Sequence, residues 1–185
     1  MSKEWFYAIE NGNLTKVKEL LFENPTFLHS LSHDKETAII KASENGRLTV
    51  VRFLLKNGAN PNDHDKTDVM QSPIILASHE GHTKVIKLLL DAGANINYQN
   101  SQGETAVIVG AQEGQFKVVK LLLLHGADAS RPNADGETAL SLASSLLRGH
   151  AKTEMCGLFM SGGSKKRRNY SRRCNIIQLN KCSKK

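Results

Sequence analysis

The sequence predicts an all-α solenoid of helix-turn-helix units with β-turn fingers, followed by a basic C-terminal tail. Three observations carry that prediction. Glycine-led segments recur: "GRLTVVRFLLKNGANPN" from Gly46, "GHTKVIKLLLDAGANIN" from Gly81 and "GQFKVVKLLLLHGADAS" from Gly114, with a weaker copy, "GNLTKVKELL", at Gly12 and a decayed one, "GHAKTEMCGL", at Gly149. Their leading glycines are 34, 35, 33 and 35 residues apart, a period that belongs to stacked supersecondary units rather than to one globular core. Charge then divides the chain. Residues 1–160 hold 16 Lys plus Arg against 18 Asp plus Glu, whereas residues 161–185 hold nine Lys plus Arg and no acid.

Each element of a unit can be read in turn. After Gly81, Val85, Ile86, Leu88, Leu89 and Leu90 form an apolar stripe at helical spacing, with Lys84, Lys87 and Asp91 outside it. Gly93, like Gly58 and Gly126 in their copies, stands where a left-handed residue can close the last turn of that helix. Upstream lies another helix start, "TAIIKA" at Thr37, "SPIILA" at Ser72, "TAVIVG" at Thr105 and "TALSLA" at Thr138. Ser or Thr there can cap the helix, and Pro73 falls at the first helical position, where its missing N–H costs nothing. Each unit is therefore a turn, a helix, a glycine turn and a second helix. One unit cannot bury its apolar faces alone, but a stack can.

At these residues the chain resembles the ankyrin-repeat family, with "GETA" at Gly103 and Gly136 and endings of the "GANIN" type matching the family's turn and helix-end motifs. The resemblance covers residues 1–160 as repeats of approximately 1–31, 32–64, 65–99, 100–132 and 133–160, and leaves 161–185 as the tail. Some positions depart from the pattern. Ile40, Ile75, Ile108 and Ser141 stand where the family often has His in T-P-L-H-x-A, and Lys35 replaces a turn glycine. The third finger, "NDHDKTDVMQ" from Asn62 to Gln71, is two residues longer than its neighbours. Thr153, Glu154, Cys156 and Gly157 give the last repeat the polar outer face of a terminal cap.

Composition narrows the function classes. Hydrophobic residues make up 39% of the 185 and charged residues 23%, as in ordinary globular proteins, while aromatics at 5% point to an aliphatic core. No run of about 18 apolar residues predicts a membrane span, and the N-terminal residues have no apolar stretch of secretory-signal length. Cys156, Cys174 and Cys182 make a poor disulfide framework and suit a reducing compartment.

Several stretches imitate chemical motifs without meeting their requirements. "HEGH", His79 to His82, lacks the four-residue spacing that lets two histidines grip one zinc ion from one helix face, and Gly81 interrupts the helix. The repeat places it at the turn between two helices. "DHDKTD" from Asp63 has alternating oxygen donors like a calcium loop, but Asp68 replaces the sixth-position glycine and Ile74 the twelfth-position glutamate. "GLFMSGGSKK" from Gly157 has Gly163 where a phosphate loop needs lysine. The cysteines, with His150, match no metal-ligand spacing, and no Ser, Cys or His sits in a nucleophile motif. The expectation is a non-enzymatic protein with no catalytic residues, cofactor, metal or small-molecule substrate.

The resemblance implies a concave face, formed by the fingers and inner-helix ends, that binds a protein partner. It places His33, Asp34 and Glu36 on one finger and Asp65, Lys66 and Gln71 on the next. Ser101, Gln102 and Glu104 follow, then Asp135 and Glu137, while Glu44, Asn45, His79, Glu80, Gln112 and Glu113 lie near inner-helix ends. Nine of these seventeen are Asp or Glu and one is basic, so the face should favour a partner with a basic segment. In the tail, Lys165, Lys166, Arg167, Arg168, Arg172 and Arg173 can serve importin recognition, nucleic acid or acidic membrane, although Tyr170 alone could stack on a base. The leading expectation is a monomeric adaptor, scaffold or inhibitor, cytoplasmic with access to the nucleus. The alternatives are a polyanion-binding protein acting through the tail, and an effector or regulatory subunit recruiting a separate enzyme.

Overall fold

The computed structural model describes residues 2–146 together with Gly157 and Phe159. Within them the elements run α1 (Ser2–Glu10), α2 (Leu14–Glu23), α3 (Ala38–Glu44), α4 (Leu48–Lys56), α5 (Pro73–His79), α6 (Thr83–Asp91), α7 (Ala106–Gln112), α8 (Phe116–Leu124) and α9 (Ala139–Leu146), with a short 3₁₀ helix over Pro25–His29. Among the described residues there is no strand, only an isolated antiparallel bridge between Leu31 and Thr37. The helix-turn-helix solenoid expected from the period is the observed fold.

Odd-numbered helices stack on one another, and even-numbered helices form a second layer. The first layer packs more extensively than the second, so the stack closes up on the side of α1, α3, α5, α7 and α9 and opens on the other. The repeat period sets which side chains meet. Val17, Val51, Ile86 and Val119 form one buried column through the second layer, and Leu20, Leu54, Leu89 and Leu122 form another. Ile39, Ile74 and Val107 continue the column begun by Trp5, whose ring stacks on Phe27 at 5.7 Å. Each fully buried Ile or Leu contributes roughly 1.5–3 kcal/mol, and because the columns are shared between neighbours, no repeat owns its core.

Helix ends follow the local chemistry in most places. Gly58, Gly93 and Gly126 have φ of 94°, 89° and 90°, and Pro73 opens α5. The expected Ser/Thr caps are only partly made. Thr105 accepts from the Ile108 N–H at 3.4 Å, whereas the hydroxyls of Thr37 and Ser72 are buried with no protein partner. Their helices start from backbone geometry alone, with the Thr37 and Ser72 carbonyls accepting the first helical bonds from Lys41 and Leu76. Of the fifth repeat, α9 is described and Phe159 is buried; Thr153, Glu154 and Cys156, expected on its polar face, lie outside the described residues. None of the described helices is long and apolar enough to cross a membrane.

Candidate functional site

The fingers are held by one side chain each. Asn100 Oδ1 accepts from the N–H groups of Gln102 and Glu104 at 3.0 and 2.9 Å, and Asn133 Oδ1 accepts from Asp135 and Glu137 at 3.1 and 2.8 Å. Ser32 Oγ fills the same role towards Asp34 and Glu36, and Asp65 Oδ1 accepts from the Thr67 N–H at 3.1 Å and its hydroxyl at 2.6 Å. Each loop is then closed across its base, by the N–H of Ser32, Asp65, Asn100 or Asn133 donating to the carbonyl of Glu36, Gln71, Glu104 or Glu137. The third finger absorbs its two extra residues inside this closure. Met70 there takes a φ of 57°, as Lys35 takes 61°, where the next two fingers have Gly103 and Gly136. Successive fingers are laced by backbone bonds from Lys66 to Lys35, Ser101 to Val69 and Ala134 to Gln102.

The inner helices present a second set of side chains between the fingers and the glycine turns. The period places Tyr7, Lys41, Leu76 and Val109 in one column, and Glu10, Glu44, His79 and Gln112 in the next. Two open hollows result. One, of about 510 Å³, is lined by Glu10, Lys41, Glu44, Asn45, Glu80 and His82. The other, of about 360 Å³, has Ile75, Leu76 and Val109 in its lining, with Gln71 and Glu104 from the fingers and His79, Gln112 and Glu113 from the helix ends.

Two clusters set the electrostatics. Lys41 Nζ lies 2.7 Å from Glu36 Oε2 and 3.1 Å from Glu44 Oε2. Burial works against the Lys41 charge, but the two carboxylates outweigh it and hold the ammonium above the ordinary lysine range. Burial likewise pushes the Glu36 carboxyl up, and Lys41 draws it back only in part. Further along, His79 Nδ1 is 2.7 Å from Glu80 Oε1 and its Nε2 is 3.8 Å from Glu113 Oε1.

Of the seventeen residues predicted for this face, His33, Asp34, Lys66, His79, Glu80, Ser101, Gln102, Glu113 and Asp135 are exposed, while Glu44, Asn45, Gln71, Glu104, Gln112 and Glu137 are half-buried. Two are not on offer. Asp65, 4% exposed, is the clasp of its finger in the register of Asn100 and Asn133, and Glu36, 8% exposed, is turned in against Lys41. The acidity expected from nine carboxylates is therefore reduced both by these two and by Lys41, a cation the sequence reading left out. Its position three residues before Glu44 on one helix was the available signal. Ile75, Leu76, Val109, Glu10 and His82 were also missed.

The imitation motifs resolve into the same framework. In "HEGH", α5 ends at His79, Gly81 turns with a φ of 79°, and His82 precedes α6 with its Nε2 2.9 Å from the Glu44 carbonyl oxygen. The two imidazoles thus have separate partners. In the third finger His64 stacks on Tyr98 at 6.5 Å, and the Tyr98 hydroxyl donates to the Met70 carbonyl at 2.8 Å. Among the described residues no group of three or more His, Cys, Asp or Glu is placed to hold a metal ion. Lys165, Lys166, Arg167, Arg168, Arg172 and Arg173, the phosphate-loop-like stretch apart from Gly157 and Phe159, and the three cysteines with His150 lie outside the described residues.

Comparison with known proteins agrees with this architecture. The family model described as "Ankyrin repeats (3 copies)" matches the chain over residues 5–100, 58–133 and 74–169. Over 59 residues the chain is 41% identical to ankyrin repeat domain-containing protein 49 of Bos taurus, an alignment covering 32% of this chain and 25% of the bovine protein. The chain thus spans about a quarter of the length of that relative.

Proposed function

Because the chain belongs to the ankyrin-repeat family, we propose that it is a non-enzymatic adaptor, scaffold or inhibitor that presents its concave face to a partner protein. Ankyrin repeats are generally protein–protein interaction modules, and the family is typically non-enzymatic. One observation carries the reading to this molecule. The hollow between α5 and α7 is lined by the half-buried Leu76 beside the buried Ile75 and Val109, on inner helices whose fingers are already closed and laced by hydrogen bonds. A surface ordered before binding spends little free energy on ordering itself. The half-buried or exposed carboxylates of Glu44, Glu80, Glu104, Glu113 and Glu137 favour a partner with a basic segment, by steering more than by contact energy. The tail, from Lys165 to Arg173, is proposed on charge alone as a nuclear-import or polyanion-binding segment.

The test uses the full chain as bait in a nuclease-treated lysate, beside Leu76→Asp and the outer-layer variant Lys84→Glu/Lys87→Glu. The expected result is a protein retained by the wild type and the outer-layer variant and lost with Leu76→Asp. Equal retention by all three sinks the concave-face reading, and capture seen only from a parallel lysate without nuclease moves the activity to the tail.

A further inference from the structure

We propose that the hollow between α5 and α7 takes one apolar side chain of a partner segment in which a Lys or Arg follows closely and bridges Glu80 and Glu113. This rests on the concave-face reading above and specifies what that face selects. The floor is a short apolar strip: Ile75 and Val109 are 1% and 5% exposed, and Leu76, in the column of Val109, is half-buried. It is bounded on the side of the preceding repeat, where Lys41 occupies the column of Leu76 and Val109 and is locked to Glu36 and Glu44. A hollow of about 360 Å³ with a floor of this extent fits one anchor rather than a continuous apolar face.

The two ends of the strip differ. At the finger end Glu104 is engaged, since its Oε2 accepts from Asn100 Nδ2 at 2.9 Å. At the turn end two carboxylates, Glu80 and Glu113, face opposite nitrogens of the single His79 ring. His79 Nδ1 is within hydrogen-bond distance of Glu80, whereas its Nε2, at 3.8 Å from Glu113, lies beyond that distance. The Glu113 carboxylate therefore has room for a further donor. An ammonium has three donors and a guanidinium five, enough to serve both carboxylates. Among the described residues no Lys or Arg lines this hollow, in contrast to the neighbouring one, where Lys41 already supplies the cation. The apolar anchor fixes affinity and the cation fixes direction, reading from the fingers towards the glycine turns.

The probe is a library of random twelve-residue peptides displayed on phage and panned against the full chain. Peptides enriched in an apolar residue with Lys or Arg a few positions away are expected. Their binding should disappear with Leu76→Asp and weaken about tenfold or more with Glu80→Lys/Glu113→Lys. Panning against that charge-reversed variant should select Asp or Glu in place of Lys or Arg. Both acids are exposed, so unchanged melting curves serve as the folding control. Peptides that depend on Leu76 but carry no basic residue, or no enrichment at all, overturn this proposal and leave the concave-face reading standing. Binding that survives Leu76→Asp and is lost with Lys84→Glu/Lys87→Glu overturns both. Residues 172–181 of the chain itself place Ile176, Ile177 and Leu179 between basic residues. Enrichment seen only with full-length Arg172→Glu/Arg173→Glu assigns the hollow to that segment and overturns the external partner.

Discussion

His82 sets its Nε2 2.9 Å from the backbone carbonyl oxygen of Glu44, tying the glycine turn of one repeat to the end of the preceding inner helix. The contact recurs at each described junction that the period allows. Arg47 Nε donates to the Glu10 carbonyl at 2.6 Å, and Gln115 Nε2 donates to the His79 carbonyl at 3.2 Å. These three side chains share one column, next to the turn glycine, and each satisfies a carbonyl left open where a helix ends. The His82 ring also lies across Gly46, where an added Cβ would stand 2.6 Å from its Cε1.

Removing that tie should weaken the stack without changing the fold. His82→Ala is expected to lower stability by about 1 kcal/mol in urea denaturation of the full chain, the usual net value of one hydrogen bond. An unchanged midpoint would show that water replaces the imidazole at no cost.

Gly46→Ala should cost more than Gly93→Ala. Both have positive φ, 65° and 89°, but a Cβ at Gly93 meets nothing within 4 Å. The left-handed conformation costs a non-glycine residue about 1–2 kcal/mol in each, and Gly46→Ala adds the collision with His82. In a His82→Ala background the difference should vanish, and a double-mutant cycle reads the coupling directly.

At the second finger the opposite substitution should help. Lys35 is exposed with a φ of 61° and occupies the place of Gly103 and Gly136. Lys35→Gly is expected to stabilise the chain by about 1 kcal/mol by relieving left-handed strain. A loss of stability would mean that glycine's added freedom in the unfolded chain outweighs the relief.

Asp65 should tolerate Asn and not Ala. The oxygen that accepts from Thr67 is kept in Asp65→Asn, which copies Asn100 and Asn133, so a change within about 0.5 kcal/mol is expected. Asp65→Ala leaves the Thr67 donors without their acceptor and should cost about 2 kcal/mol. Equal effects of the two changes would show that the charge, not the clasp, is what Asp65 contributes.

Lys41→Met should cost about 2 kcal/mol at neutral pH by stranding Glu36 and Glu44. The folded pKa of Lys41 is raised, so its contribution is complete below the ordinary lysine value and is lost as pH rises through the folded one. Glu36 is also raised, so its own contribution is complete in acid and is lost as pH rises through its folded value. Urea melts across pH should show an alkaline decline in the wild type that Lys41→Met lacks; parallel profiles would contradict the pairing.

The sequence by itself determined the architecture of this protein. A period of 33 to 35 residues, read from Gly12, Gly46, Gly81, Gly114 and Gly149, places the helices, the turns and the aliphatic columns, because each is local chemistry repeated in register. Exposure on the fingers was less legible. Asp65 and Glu36 look in sequence like Asp34 and Glu113, yet one clasps a loop and the other is buried against a lysine. Only the tertiary structure decided which carboxylates face solvent, that Lys41 divides the inner face, and that His82 spans two repeats. Those outcomes depend on a side chain meeting a backbone carbonyl 37 or 38 residues away, or a side chain on the other side of a helix start, at distances of 2.6–2.9 Å. Periodicity specifies a column, but whether its members pair within a repeat, reach the next one or point outward is set by packing and desolvation across the junction.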